Sequence, residues 1–199
     1  GALTCVNTTV QILGGGGPAG ITYSWTGPGG YTSNAQNNTV SLPGSYTLTT
    51  RNPVNGCTAS SSITVVVNVT PPGVSASGGV KTCANPTVTL QASSNTTGVT
   101  FKWGGPAGFM STLPNPVVSQ IGMYSVTVTN PVNGCTSSTS VAVTQNTTAP
   151  TISATTATIT CYVPAPHVVA SSQTNGATFS WSGPNGFTSN IANPVVTVS

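Results

Sequence analysis

The sequence predicts an all-β protein, a row of small β-sandwiches repeated along one chain. Three observations predict it. Apolar residues alternate with polar ones at a period of two, and β-branched and aromatic side chains dominate those runs. Gly, Pro, Asn and Ser clusters separate the runs, and no stretch carries helical spacing with caps. Every landmark of the chain also returns after 78 residues.

The repeat is legible without an alignment. Cys5, Cys83 and Cys161 are 78 residues apart, as are Cys57 and Cys135. Trp25, Trp103 and Trp181 keep the same step, as do Tyr46 and Tyr124 and the Gly-Pro pairs at Gly27, Gly105 and Gly183. The segment Asn52–Cys57, NPVNGC, recurs unchanged at Asn130–Cys135. Two whole repeats, 1–72 and 73–150, are followed by an incomplete third, 151–199.

The elements follow in order. Val10 and Ile12 alternate with Thr9 and Gln11, Tyr23 and Trp25 flank Ser24, and Tyr46 and Leu48 flank Thr47. Ile63, Val65 and Val67 close the first repeat, and Tyr124, Val126 and Val128 repeat the pattern in the second. Such alternation suits sheets with one buried and one wet face. Gly14–Gly20, Gly27–Gly30 and Asn52–Gly56 read as turns, with Asn55-Gly56 and Asn133-Gly134 as hairpin signals. The expected core is Trp25, Trp103, Trp181, Tyr46 and Tyr124, with Tyr23, Phe101 and Phe179 on the same face as each Trp.

Each complete repeat is expected to close one disulfide, Cys5–Cys57 and Cys83–Cys135, and Cys161 is expected to lack only the partner of its own repeat. A 52-residue loop would be worth about 4 kcal/mol on the chain-entropy account. Structural disulfides imply an oxidising, extracellular compartment. Pro71-Pro72 and Pro150 stiffen the repeat boundaries. Each repeat of such a row adds about 33 Å, the length of a strand of about ten residues.

Charge excludes more than it suggests. The 199 residues hold three basic side chains, Arg51, Lys81 and Lys102, and no Asp or Glu. A soluble chain of this length ordinarily carries roughly 24 carboxylates. Glycosidase, aspartic-protease and Ser-His-Asp chemistry all need a carboxylate, and so do calcium and magnesium cages. Zinc spacing is missing too, so no metal, cofactor or catalytic residue is expected. Three scattered cations are too dilute for nucleic acid, and the longest aliphatic run, Val65–Val67, cannot span a membrane. Gly1–Cys5 lacks the basic and apolar regions of a signal peptide, so a secreted form is expected as a processed or internal piece.

The segments YSWTGPGGYTS (Tyr23–Ser33), FKWGGPAGFMS (Phe101–Ser111) and FSWSGPNGFTS (Phe179–Ser189) resemble tandem Ig-like repeats of Bacteroidetes surface proteins. TVTNPVNGCTSS (Thr127–Ser138) and TQNTTAPTISA (Thr144–Ala154) carry the same resemblance. The relatives include SprB-type gliding-adhesin repeats and the PKD-like and HYR-like repeats of very large proteins exported by the type IX system. The resemblance implies an Ig-like sandwich and a surface location. Two departures stand out. Cys57 lies eleven residues after Tyr46, not two as in immunoglobulin domains, so its disulfide should tie one end of the sandwich. Amides also occupy positions such as Asn130 and Asn146, where the family usually holds Asp.

The remaining candidates are few. His167, the only histidine, and Lys102 fall on outward strand positions. Lys81 suggests an isopeptide bond, but that chemistry resembles one needing a neighbouring carboxylate. Tyr31, Phe109 and Phe187, after the Gly-Pro turns, either cap the core or form a sugar-stacking face. Asn7, Asn37, Asn68, Asn95 and Asn146 each open an Asn-x-Thr sequon. With Asp in place of the preceding amide, Thr8, Thr39, Thr96 and Thr147 would match the O-glycosylation motif that the resemblance implies. The expected function is an extracellular stalk or filament segment of a bacterial surface adhesin or fibre, without enzymatic activity. Its partners would be neighbouring repeats, identical chains in a filament, or surface glycans. The alternatives are a carbohydrate-binding adhesin module and the accessory spacer of a secreted enzyme.

Overall fold

In the first repeat, seven strands form: β1 (Ala2–Thr4), β2 (Val10–Leu13), β3 (Thr22–Gly27), β4 (Tyr31–Ser33), β5 (Asn37–Val40), β6 (Gly44–Arg51) and β7 (Thr58–Asn68). The structure, a computed structural model, describes residues 1–197. One sheet has the order β1-β7-β6-β3-β4, and β2 pairs with β5 as the opposing layer. All contacts in the large sheet are antiparallel except β1 on β7, which is parallel.

The second repeat holds β8 (Ser75–Ser77), β9 (Gly79–Thr82), β10 (Val88–Thr89), β11 (Gln91–Ser93), β12 (Thr100–Gly104), β13 (Met110–Ser111), β14 (Val117–Val118), β15 (Gly122–Thr129) and β16 (Thr136–Asn146). Its large sheet, β9-β16-β15-β12-β13, repeats the first, again with a parallel β9–β16 edge. The opposing layer is built from β10 with β14 and β8 with β11. Two facing sheets, a central Trp strand and Greek-key order make each repeat an Ig-like β-sandwich.

The cores follow the alternation in the sequence. Leu3, Ile12, Trp25, Val40, Tyr46, Leu48 and Val65 form one buried cluster. Val88, Leu90, Ala92, Trp103, Val118, Tyr124, Val126, Val128 and Val143 form the other. Tyr23 and Phe101 pack half-buried against them. Immunoglobulin domains place a cysteine two residues after the strand-F Tyr and bridge it to the opposite sheet. Leu48 and Val126 stand there instead, and each lies in the buried cluster. The sandwich centre is thus closed by aliphatic packing.

A tyrosine corner fixes the entry to β6 and β15. Tyr46 Oη donates to the Leu42 carbonyl at 2.9 Å, and Tyr124 Oη to the Gln120 carbonyl at 2.9 Å. Burial pushes the Tyr124 phenol above its usual pKa. The Gly-Pro turn sits on this ring: a Cβ on Gly105 would strike the aromatic carbons of Tyr124. Gly122 opens β15 at φ +137°, where a Cβ would meet Pro106. Replacing Tyr124 by Phe keeps the ring and removes one buried hydrogen bond. The expected loss is about 1–2 kcal/mol, because the Gln120 carbonyl loses its partner. Chemical denaturation should show it as a lower midpoint at an unchanged slope.

Uncharged hydroxyls cover the wet face. Thr47 pairs with Ser62 at 2.9 Å, Thr49 with Ser60 at 3.0 Å, and Thr127 with Ser138 at 3.0 Å across β6–β7 and β15–β16. Such cross-strand pairs stabilise a sheet without ion pairs.

The compact units do not follow the three repeats one by one. The first two form a single unit, Gly1–Asn146, and a second begins at Thr147. That second unit holds β17 (Ser153–Thr155) paired with β18 (Val169–Ser171), and β19 (Trp181–Ser182) paired with β20 (Thr188–Ser189). Trp181 is half-buried there, in contrast to Trp25 and Trp103.

Candidate functional site

The disulfide joins the two repeats. Cys5 bonds Cys135, 130 residues away, with 5.1 Å between the Cα atoms. The expected pairs Cys5–Cys57 and Cys83–Cys135 do not form, and the topology explains why. Parallel pairing puts Thr4 beside Asn68, at the C-terminal end of β7. Cys57 precedes Thr58, at the other end of that strand. Eleven residues separate the two positions by about 33 Å, whereas bridged Cα atoms must lie within about 7 Å. The second repeat reproduces this, with Thr82 beside Asn146 and Cys135 preceding Thr136. Cys5 therefore lies at the end of its sandwich that faces the β15–β16 turn of the next one.

A preformed turn receives it. Within Asn130–Cys135, Asn130 N–H donates to the Cys135 carbonyl at 2.9 Å and Gly134 N–H to the Asn130 carbonyl at 2.8 Å. The Asn130 side chain accepts from Val132 N–H at 3.0 Å, and that of Asn133 from Cys135 N–H at 3.0 Å. Asn133 faces the first repeat. Its Nδ2 donates to Asn68 Oδ1 at 3.0 Å and to the Thr70 carbonyl at 2.9 Å, while its carbonyl accepts from Cys5 N–H at 3.1 Å. Gly134 packs so closely on Val6 that a Cβ would collide with it. Asn133 is the one buried polar side chain among the described residues, 1% exposed, and every hydrogen-bonding atom of its amide group is engaged. Cys135 is equally buried. A polar residue this buried needs such partners.

The donated loop is also preformed. Thr4 N–H donates to the Asn7 carbonyl at 2.8 Å, and Thr4 Oγ1 accepts from Asn7 N–H at 2.9 Å. This presents Cys5 and Val6 outward. Sequence reasoning missed Asn133 and Val6; the signal was the 11-residue strand separating Cys57 from Asn68.

The other candidates fall elsewhere. Cys57, Cys83 and Cys161 are exposed and outside the disulfide. Tyr31 and Phe109 stand edge-on to Tyr46 and Tyr124, centroids 5.3 Å apart in both repeats, so their rings cap the core. Phe187 is half-buried. His167 is exposed, with Nδ1 at 2.9 Å from the Asn193 carbonyl. Lys81 Nζ donates to the Ser119 carbonyl, and Lys102 is exposed. Asn7, Asn37, Asn95 and Asn146 are exposed, as are Thr8, Thr39 and Thr147; Thr96 is half-buried. Asn68 is exposed but serves the junction. No group of three or more His, Cys, Asp or Glu that could hold a metal occurs among the described residues, and no helix there is long and apolar enough to cross a membrane.

Comparison with known proteins places no family on the chain: no family model and no curated protein matches. Solved structures do match. Three N-terminal domains of the bacteriophage RB49 highly immunogenic outer capsid protein share 14% identity, cover 88% of this chain and 70% of their own, at a TM-score of 0.43. The titin I-band fragment I67-I69 shares 14%, covering 96% and 76%, at 0.42. The amphioxus IgVJ-C2 molecule shares 15%, covering 69% and 96%, at 0.33. At these scores the fold class rests on the strand order and tyrosine corner. Those features define an all-β array of Ig-like sandwich repeats.

Proposed function

We propose that the chain is a segment of an extracellular stalk or filament, of the kind built from tandem Ig-like repeats on Bacteroidetes surfaces. One observation carries the reading: a covalent bond spans the boundary between repeats one and two. A disulfide persists in oxidising compartments. This one routes load from Cys5 directly to Cys135, past the first sandwich and strands β8–β15 of the second. The acid-free surface and its hydroxyl pairs fit a spacer that offers little to proteases or ligands.

Stretching a single tethered chain tests this. The 130-residue separation locks away about 450 Å of extended chain at about 3.5 Å per residue. Oxidised molecules should withhold that length, and a reductant should release it. Equal extension in both states would remove the mechanical reading. Saturable oligosaccharide binding lost in Phe109→Ala would instead make the repeats an adhesin module. The edge-on contact of Phe109 with Tyr124 speaks against that outcome.

A further inference from the structure

We propose that the Asn52–Cys57 turn is a docking socket for the Thr-Cys loop of a second copy of this chain, and that Thr160–Val163 is a matching plug. The inference rests on the stalk or filament reading and names the partner of the repeat's own junction surface.

The junction between repeats one and two shows both halves engaged. Socket for socket, the free turn is already built. Asn52 N–H donates to the Cys57 carbonyl at 2.9 Å and Gly56 N–H to the Asn52 carbonyl at 2.8 Å. Asn52 Oδ1 accepts from Val54 N–H at 2.9 Å, and Asn55 Oδ1 from Cys57 N–H at 3.0 Å. These are the contacts of Asn130–Cys135, on the same six residues. Only occupancy differs. Asn133 and Cys135 are each 1% exposed under the docked loop, while Asn55 and Cys57 are open to solvent. The Asn55 amide nitrogen points at no acceptor among the described residues, where Asn133 holds two. The turn spends an Asn-Gly pair and an exposed thiol on a geometry whose only use, where it is seen occupied, is to hold a Thr-Cys loop.

The plug repeats as well. Thr160 N–H donates to the Val163 carbonyl at 3.0 Å, and Thr160 Oγ1 accepts from Val163 N–H at 3.0 Å, as Thr4 and Asn7 do. Cys161 and Tyr162 are presented to solvent, in the places of Cys5 and Val6. Plug and socket are different surfaces, so the contact is heterologous and propagates as an open filament.

The bond forms by thiol–disulfide exchange with a low-molecular-weight disulfide. Cys161 first exchanges with glutathione disulfide, releasing one glutathione thiol. The Cys57 thiolate then attacks the Cys161 sulfur, and the second glutathione departs as thiolate and takes up the proton. Two protein thiols become one disulfide, and one glutathione disulfide becomes two thiols.

The test uses the full chain carrying Cys83→Ser, as equal parts of isotope-labelled and unlabelled copies in a glutathione redox buffer. Peptide mass spectrometry then counts the linkages between copies. Random pairing gives Cys57–Cys161 twice as often as either homotypic bond. Docking predicts an excess of at least ten-fold, head-to-tail oligomers, and a return to two-fold in Asn55→Ala. A two-fold ratio in the parent chain, or Cys57–Cys161 bonds confined within single copies, would overturn the proposal. Either result leaves the stretching experiment, and the stalk reading with it, untouched.

Discussion

Replacing Trp103 by Ala is expected to cost about 3–5 kcal/mol, the range for truncating a buried aromatic. Trp103 is wholly buried at the centre of β12 and pairs across the sheet with Val126. Its indole N–H donates to the Pro114 carbonyl at 3.3 Å. That carbonyl also accepts from Ala92 N–H at 3.1 Å, so it keeps a partner when the indole goes. The loss is therefore mostly packing and cavity. A sandwich of 75 or so residues has about 4–11 kcal/mol to lose at ordinary stability per residue, so the repeat should sit near its unfolding threshold. Trp25 makes the same pair of contacts, at 3.3 Å to Gln36, whose carbonyl also takes Gly14 N–H at 2.9 Å. Trp25→Ala should match Trp103→Ala within experimental error, and Trp181→Ala, at a half-buried site, should cost less. Denaturant unfolding followed by far-UV circular dichroism decides it; a Trp103→Ala cost under 1 kcal/mol would mean that the core does not centre on the ring.

Fold and site were not equally legible, for a physical reason. Alternation and repetition are local, so the strands bearing Trp25, Tyr46, Ile63 and Val65 could be read directly, and the Ig-like sandwich with them. The 78-residue step and the alternation around Tyr46 and Tyr124 placed both tyrosines in the core. Disulfide partners depend on which end of a strand a residue reaches, and that is topology. Two cysteines 52 residues apart in one repeat invite an intra-repeat bond. Only the parallel β1–β7 edge sends Cys5 to the far end, where the next repeat's Asn133 and Cys135 wait. Asn133 itself looked like a turn residue, because its burial comes from the neighbouring repeat. In the same hexapeptide Asn55 and Cys57 are exposed while their counterparts Asn133 and Cys135 are buried, so no local pattern could have told the two apart.

That inter-repeat bond makes the second large prediction. If repeat one unfolds alone, the folded second repeat still holds Cys5 at Cys135 and the linker near Thr70, closing a loop of about 65 residues. If repeat two unfolds alone, the folded first repeat closes a loop of similar size between Thr70 and Cys135. Either way the chain-entropy account gives about 4 kcal/mol. One bond thus stabilises two sandwiches, each through its neighbour's folded state, where an intra-repeat bond would stabilise one. Cys5→Ser with Cys135→Ser should therefore lower the unfolding free energy of both repeats by about 2–4 kcal/mol, allowing for residual structure in the unfolded chain. It should also uncouple them. Each repeat keeps its own buried cluster, so the variant should unfold in two transitions, separable with Trp25→Phe and Trp103→Phe reporters. The oxidised parent should show one transition at higher denaturant. Reduction that moved only one repeat would mean that the bond acts locally, and the covalent coupling along the array would be lost with it.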